Sequence, residues 1–164
     1  MARIKKTLDT IDLSSFSLTQ EIRIDAPPEK VYDAILRDID QWWAYRLGTA
    51  DSVIRIEPRV GGRFYEDFGR DQGALWGTIT YLKRPERIRF SGPLGMERPV
   101  SSLYTYDLQP RRDGTTLTLS HTCFGDLKPG WDKAHQSGWS ELLGKFLKAW
   151  VEERKGFRAF PAKK

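Results

Sequence analysis

Four side chains in this sequence carry chemistry that packing alone does not require: Glu66, His121, Cys123 and His135. Glu66 lies in Arg63-Phe64-Tyr65-Glu66-Asp67-Phe68, where a period of two places it on one face with Phe64 and Phe68. An apolar setting raises the pKa of a carboxyl group and suits it to proton transfer. A solvent-facing strand is the plainer alternative, because Tyr65 breaks the alternation. His121 follows Leu117 and Leu119 on one strand face, and His135 stands four residues before Trp139 on a helical stripe. Turned inward, the two imidazoles would share one interior and, with Glu66, act as acid and base or ligate a metal. Two histidines without a fixed third ligand do not make a metal site, and hydrogen-bonded core histidines explain the same pattern. No catalytic residue, metal or cofactor is therefore assigned. Cys123 shares the parity of His121, yet no Asp or Asn is spaced to orient a Cys–His pair, so it reads as a small buried apolar residue.

Aromatic residues supply the second kind of site. Phe64, Phe90, Tyr104, Tyr106 and Trp139 recur on faces expected to point inward, and flat apolar ligands are held by such rings. Ordinary packing accounts for any one of them taken singly. Trp76 has the opposite parity to Ile79 and Tyr81, so only a bulge at Gly77 lets both sets face the core. The expected ligand-binding set is Phe64, Glu66, Trp76, Phe90, Tyr104, Tyr106, His121, His135 and Trp139. The loop Gly92-Pro93-Leu94-Gly95 would border the mouth of such a cavity.

The elements that position these groups follow from periodicity. Trp139, Leu142, Leu143, Phe146, Leu147, Trp150 and Val151 keep one side of a helix apolar, and Trp131 and His135 extend that stripe back to Pro129-Gly130. One long helix over 131–153 is expected, roughly 35 Å in length. Upstream, Phe16 to Ile24 alternates as a strand, Pro27-Pro28-Glu29 opens a short helix, and Ile39, Trp42 and Trp43 suggest a second. Six further strand-like runs follow: 53–56, 63–68, 75–82, 87–91, 103–108 and 116–123. Turn residues separate most of them, which implies antiparallel neighbours. The fold class is α+β: a curved antiparallel sheet of about seven strands wrapped on a long C-terminal helix, with two short helices between strands 1 and 2.

At 164 residues with 39% hydrophobic content, residues 1–164 are expected to form one domain, with 1–15 and 157–164 as basic, weakly patterned arms. No apolar run approaches the roughly 20 residues that span a bilayer. The net charge of +5 is scattered and comes with no recognition motif, so nucleic acid is not an expected partner. A single cysteine excludes an intramolecular disulfide and fits the cytoplasm. An oligomer is compatible with all of this.

Four stretches together carry a resemblance: Ile24 to Tyr32, Val60-Gly61-Gly62-Arg63-Phe64, Arg84 to Phe90, and Gly138-Trp139 to Leu143. In their order and spacing the chain resembles the START-like, or helix-grip, superfamily, and within it the homologues of the activator of heat-shock-protein-90 ATPase. The resemblance implies a sheet gripping the C-terminal helix around an apolar cavity that takes a hydrophobic or aromatic small molecule. It also leaves two other functions open, a cyclase- or hydratase-type enzyme using the same cavity and a chaperone-related interaction module, because fold does not fix function.

Overall fold

The computed structural model describes residues 7–161. Seven antiparallel strands form one sheet in the order β1-β7-β6-β5-β4-β3-β2. They are β1 (Ser14–Ile24), β2 (Val53–Ile56), β3 (Arg63–Gly69), β4 (Gln72–Lys83), β5 (Arg87–Ser91), β6 (Val100–Arg111) and β7 (Gly114–Gly125). Between β1 and β2 stand two short helices, α1 (Pro28–Arg37) and α2 (Ile39–Trp42). The first begins where it should. Pro28 needs no amide partner in the first turn, Glu29 sits at the positive end, and Val31, Tyr32, Ala34, Ile35 and Leu36 are buried.

The C-terminal helix runs without a break from Trp131 to Glu153, but not as one regular α-helix. It comprises α3 (Trp131–Glu141), a π-helical stretch Leu142–Leu147, and α4 (Lys148–Glu153). Twelve residues at about 100° each would leave Val151 about 120° around the axis from Trp139. The wider π turns rotate less per residue and close much of that gap, so Trp139 and Val151 are both buried at 2% and 1% exposure. Trp150, expected on the buried stripe, is displaced to a half-buried position where its indole Nε1 donates to Asp38 Oδ2 at 2.9 Å.

Two departures from ideal pairing shape β4. The β3 register passes from Phe64↔Gly77 to Tyr65↔Leu75, which leaves Trp76 as an extra residue. That bulge lets Trp76 and Ile79 both be buried, and a second, where the β5 register passes from Ile79↔Phe90 to Tyr81↔Arg89, leaves Thr80 extra and turns Tyr81 outward. Gly77 is required there, since a Cβ would stand 2.4 Å from the Tyr104 hydroxyl.

The ends of the chain differ from free arms where they are described. Ser14 and Ser15 pair with Gly125 and Phe124 in the sheet. Phe157 and Phe160 sit in and beside a 3-10 turn (Phe157–Ala159) and pack on Phe146 at ring distances of 6.3 and 5.4 Å. Residues 1–6 and 162–164, included in the expected arms, lie outside the described residues.

Candidate functional site

The side of the sheet facing the helix carries a closed aromatic layer. Phe90 stacks on Tyr104 at 5.2 Å and meets Phe64 and Tyr106 edge-on at 5.6 and 6.1 Å. All four are at most 2% exposed. Phe90 and Tyr104 are register partners on β5 and β6, and Phe64 and Tyr106 pack beside them, so the rings contact one another and little void is left. None of them is among the residues that line the cleft described below.

His121 closes the same layer. Trp139 Nε1 donates to His121 Nδ1 at 3.1 Å, and an indole nitrogen only donates, so Nδ1 bears no proton. The proton is on Nε2, which lies 3.0 Å from Ser102 Oγ. Burial and the neighbouring His135 push the His121 pKa down to about 3, and the ring is neutral over the ordinary range. With both nitrogens engaged, His121 offers no free lone pair to a substrate or metal. His135 does lie beside it, at a ring distance of 5.3 Å, with Phe16 against both. Its Nδ1–H donates to the Trp131 carbonyl at 2.7 Å, leaving Nε2 as its other polar atom.

Glu66 is fully buried but is neither near the histidines' hydrogen bonds nor raised in pKa. Leu47 N and Trp76 Nε1 donate to one carboxylate oxygen at 2.8 and 3.3 Å, and Gly48 N at 3.0 Å and Ser52 Oγ donate to the other. Burial pushes its pKa up, but the bonds from Ser52, Leu47, Gly48 and Trp76 outweigh burial and hold the carboxyl below its usual value. The expectation of a raised pKa fails because β3 presents Glu66 to the amides of the loop after α2, not to an apolar wall. Glu66 is thus a tether for that loop. Among the described residues no group of three or more His, Cys, Asp or Glu could hold a metal ion. Burial also raises the pKa of the Cys123 thiol.

The loop that Glu66 holds forms one wall of a cleft of about 460 Å³, within the size range of small-molecule sites. Trp43, Tyr45, Arg46 and Leu47 line it from the α2–β2 loop, Trp76 from β4, and Leu94, Gly95 and Met96 from the β5–β6 loop. Trp131, Ala134, His135, Gly138, Trp139 and Leu142 complete it from the C-terminal helix. Trp43, Trp76 and Trp139 form a buried floor, whereas Tyr45, Leu47 and Ala134 are exposed at the rim. Gly95 lies so close to the floor that a Cβ would meet the Trp76 ring at 2.7 Å.

Of the nine expected contacts, Trp76, His135 and Trp139 line this cleft; Phe64, Glu66, Phe90, Tyr104, Tyr106 and His121 lie behind it. The expected border loop does contribute, through Leu94 and Gly95. Sequence reasoning missed the α2–β2 loop. Its signal was the run Trp42-Trp43-Ala44-Tyr45-Arg46-Leu47, rich in large apolar side chains where a connection is normally polar.

Two polar atoms in this wall are unpaired. Trp43 Nε1 and Arg46 Nε are the buried side-chain nitrogens without a hydrogen-bond partner among the described residues, a state that costs about 1–3 kcal/mol for each group. The rest of the Arg46 guanidinium is engaged, with Nη1 on the Trp43 carbonyl at 2.8 Å and Nη2 on Asp40 Oδ1 at 2.7 Å. Burial draws the Arg46 pKa down against the pull of Asp40.

No curated protein matches the chain. Solved structures share its fold. A protein from Chromobacterium violaceum is 26% identical with a TM-score of 0.64, over 83% of this chain and 96% of that one. An uncharacterised protein from Rhizobium leguminosarum is 19% identical with a TM-score of 0.71, over 88% and 99%. A protein of unknown function from Staphylococcus aureus is 15% identical with a TM-score of 0.66, over 87% and 97%. Residues 25–152, which span α1 through most of α4, match the family described as activator of Hsp90 ATPase homolog 1-like protein. With its curved seven-stranded sheet and gripped C-terminal helix, the chain belongs to that START-like family.

Proposed function

We propose that this protein binds a hydrophobic, aromatic small molecule in the cleft between the C-terminal helix and the loops around Trp43 and Leu94. The observation that carries the reading is the cleft's wall: four of the chain's six tryptophans line one space of about 460 Å³. Indole rings give large, rigid contact area at low entropic cost, and a flat apolar ligand gains most from such a wall. A proton-transfer enzyme built on the same interior finds less support. The two groups best suited to it by type, Glu66 and His121, have their polar atoms committed to protein partners.

Ala134 provides the test, because it is exposed on the helix and lines the cleft. The neutral dye N-phenyl-1-naphthylamine should bind the native protein with roughly micromolar affinity, about −8 kcal/mol, and quench tryptophan emission. Ala134→Trp, which fills the space from an exposed helix position, should weaken that binding at least about tenfold and leave the melting curve close to native. Equal dye binding by both proteins would place the dye elsewhere and remove the support for the cleft.

A further inference from the structure

The two edges of the sheet are finished differently. At one end β2 has four residues, and its outward amide at Ile54 is taken by Asp40 Oδ1 at 2.9 Å. At the other end β1 has eleven. Its second half is covered from the C-terminal helix. Gln20 Nε2 donates to the Gln136 carbonyl at 2.6 Å, Lys148 Nζ to the Arg23 carbonyl at 2.8 Å, and the Asp25 amide just beyond to Glu152 Oε1 at 2.7 Å. Its first half, Ser14 to Thr19, carries no charge and no proline and pairs with β7 without a bulge. Edges that stay single are normally blunted by one of those devices.

Alternation fixes what this half presents. The Arg23 carbonyl meets Lys148 on the free side, so Thr19, Ser17 and Ser15, at steps of two, turn their N–H and C=O groups to that side as well. Their side chains lie on the outer face, where Ser17 Oγ and Thr122 Oγ1 are 3.1 Å apart. Phe16 and Leu18 point to the helix face and are only half-buried. Ahead of the strand, Ile11 and Leu13 are 54% and 73% exposed, large apolar groups beside an open ladder. A groove of about 730 Å³ continues along the covered half, between β1 and the helix, with Arg23, Lys133 and Gln136 in its walls.

We infer that this edge pairs with the same edge of a second copy of the chain, antiparallel about a two-fold axis at Ser17. Ser17 then opposes the partner's Ser17 and Ser15 the partner's Thr19, and each pair exchanges backbone hydrogen bonds. On the helix face Phe16 meets the partner's Leu18, and symmetry repeats the contact, which covers side chains that one copy leaves half open. The same register lays residues 11–14 of each copy along the partner's groove. By the strand's alternation Asp12 faces the helix there, towards the partner's Lys133 and Lys148, while Ile11 and Leu13 lie on the aliphatic stems of the partner's Arg23 and Glu21. An acidic lead-in and a basic far end of one strand complement each other when two copies pair antiparallel, and this makes a second copy the occupant that fits.

Sedimentation equilibrium of the full chain tests the pairing. Short interfaces are weak, so the native protein should dimerise with a dissociation constant of roughly 10–100 μM. Ser17→Lys sets two ammonium groups against each other at the axis and should weaken the dimer at least about tenfold. Leu75→Lys, at an exposed position of β4 far from this edge, should leave it unchanged. Ser17→Cys should oxidise to a disulfide-linked dimer, because facing residues stand about 5.5 Å apart at Cα, and the buried Cys123 takes no part. Should Ser17→Lys fail to fold, the native mass and the Ser17→Cys cross-link still decide. A native chain that stays monomeric at about 1 mM, association that grows past two copies, a dimer that survives Ser17→Lys or is lost equally with Leu75→Lys, or a Ser17→Cys protein that forms no covalent dimer would overturn the inference.

Discussion

The closed aromatic layer and the cleft are built from the same residue types and share a wall, yet one is full and the other open. Phe64, Phe90, Tyr104 and Tyr106 come from β3, β5 and β6 of one sheet, where Phe90 and Tyr104 are register partners and the other two rings pack against Phe90. Trp43, Trp131 and the Leu94–Met96 segment come from loops and the first turn of a helix, which no ladder of hydrogen bonds brings together. Their positions depend on specific tethers, chiefly Glu66 on Leu47 and Gly48, and Asp40 on Arg46 and the amide of Ile54. Rings on paired strands mostly fill the space between them, whereas rings on the tethered loops border open space, with Trp76 the strand residue that does both.

Trp139 belongs to both regions. It lines the cleft and also meets Tyr104, Tyr106 and His121 at 5.9, 6.0 and 5.9 Å. Phe90→Ala and Trp139→Ala should each cost about 3–5 kcal/mol in urea unfolding, because each removes a large buried ring. Their effects on dye binding should part: the folded Phe90→Ala protein keeps affinity within a few-fold of native, whereas Trp139→Ala loses most of it. Parallel losses of binding in the two variants would mean that layer and cleft are one site.

A smaller effect comes from His121, whose folded pKa of about 3 lies below the ordinary value of 6.5. In the unfolded chain the ring takes up a proton below about pH 6.5, while the folded protein resists this until far lower pH. Its contribution is therefore complete above 6.5 and drains away as pH falls toward 3, by up to about 1.4 kcal/mol per pH unit. Between pH 7 and pH 5 the native protein should lose about 2 kcal/mol more than His121→Gln in urea unfolding. Equal losses would show that His121 is protonated in the fold and that its bond from Trp139 is wrongly assigned.

Much of the fold was legible because strand and helix patterns are local. All six runs after Gly48 became strands β2 to β7, and Trp131 opens the helix after Gly130, whose φ of 85° stops it from starting earlier. The π-helical stretch was not legible, since the same apolar spacing fits a regular helix and only the sheet beneath selects Val151 over Trp150. The site was legible in part. Parity told which face Tyr104, Tyr106 and His121 occupy, but not that the space before them is filled by Trp139. For Glu66 the flanking phenylalanines were visible, and the donors that fix its charge, from residues 47, 48, 52 and 76, come from elsewhere in the chain.

The six indole N–H signals in a nitrogen–proton correlation spectrum report directly on whether a ligand occupies the cleft. Trp43, Trp76, Trp131 and Trp139 line the cleft, whereas Trp42 donates to the Ala34 carbonyl at 3.0 Å and Trp150 to Asp38, both away from it. Saturating N-phenyl-1-naphthylamine should shift the four cleft signals and leave those of Trp42 and Trp150 in place. Six unmoved signals, or shifts centred on Trp42 and Trp150, would contradict a ligand site at this cleft.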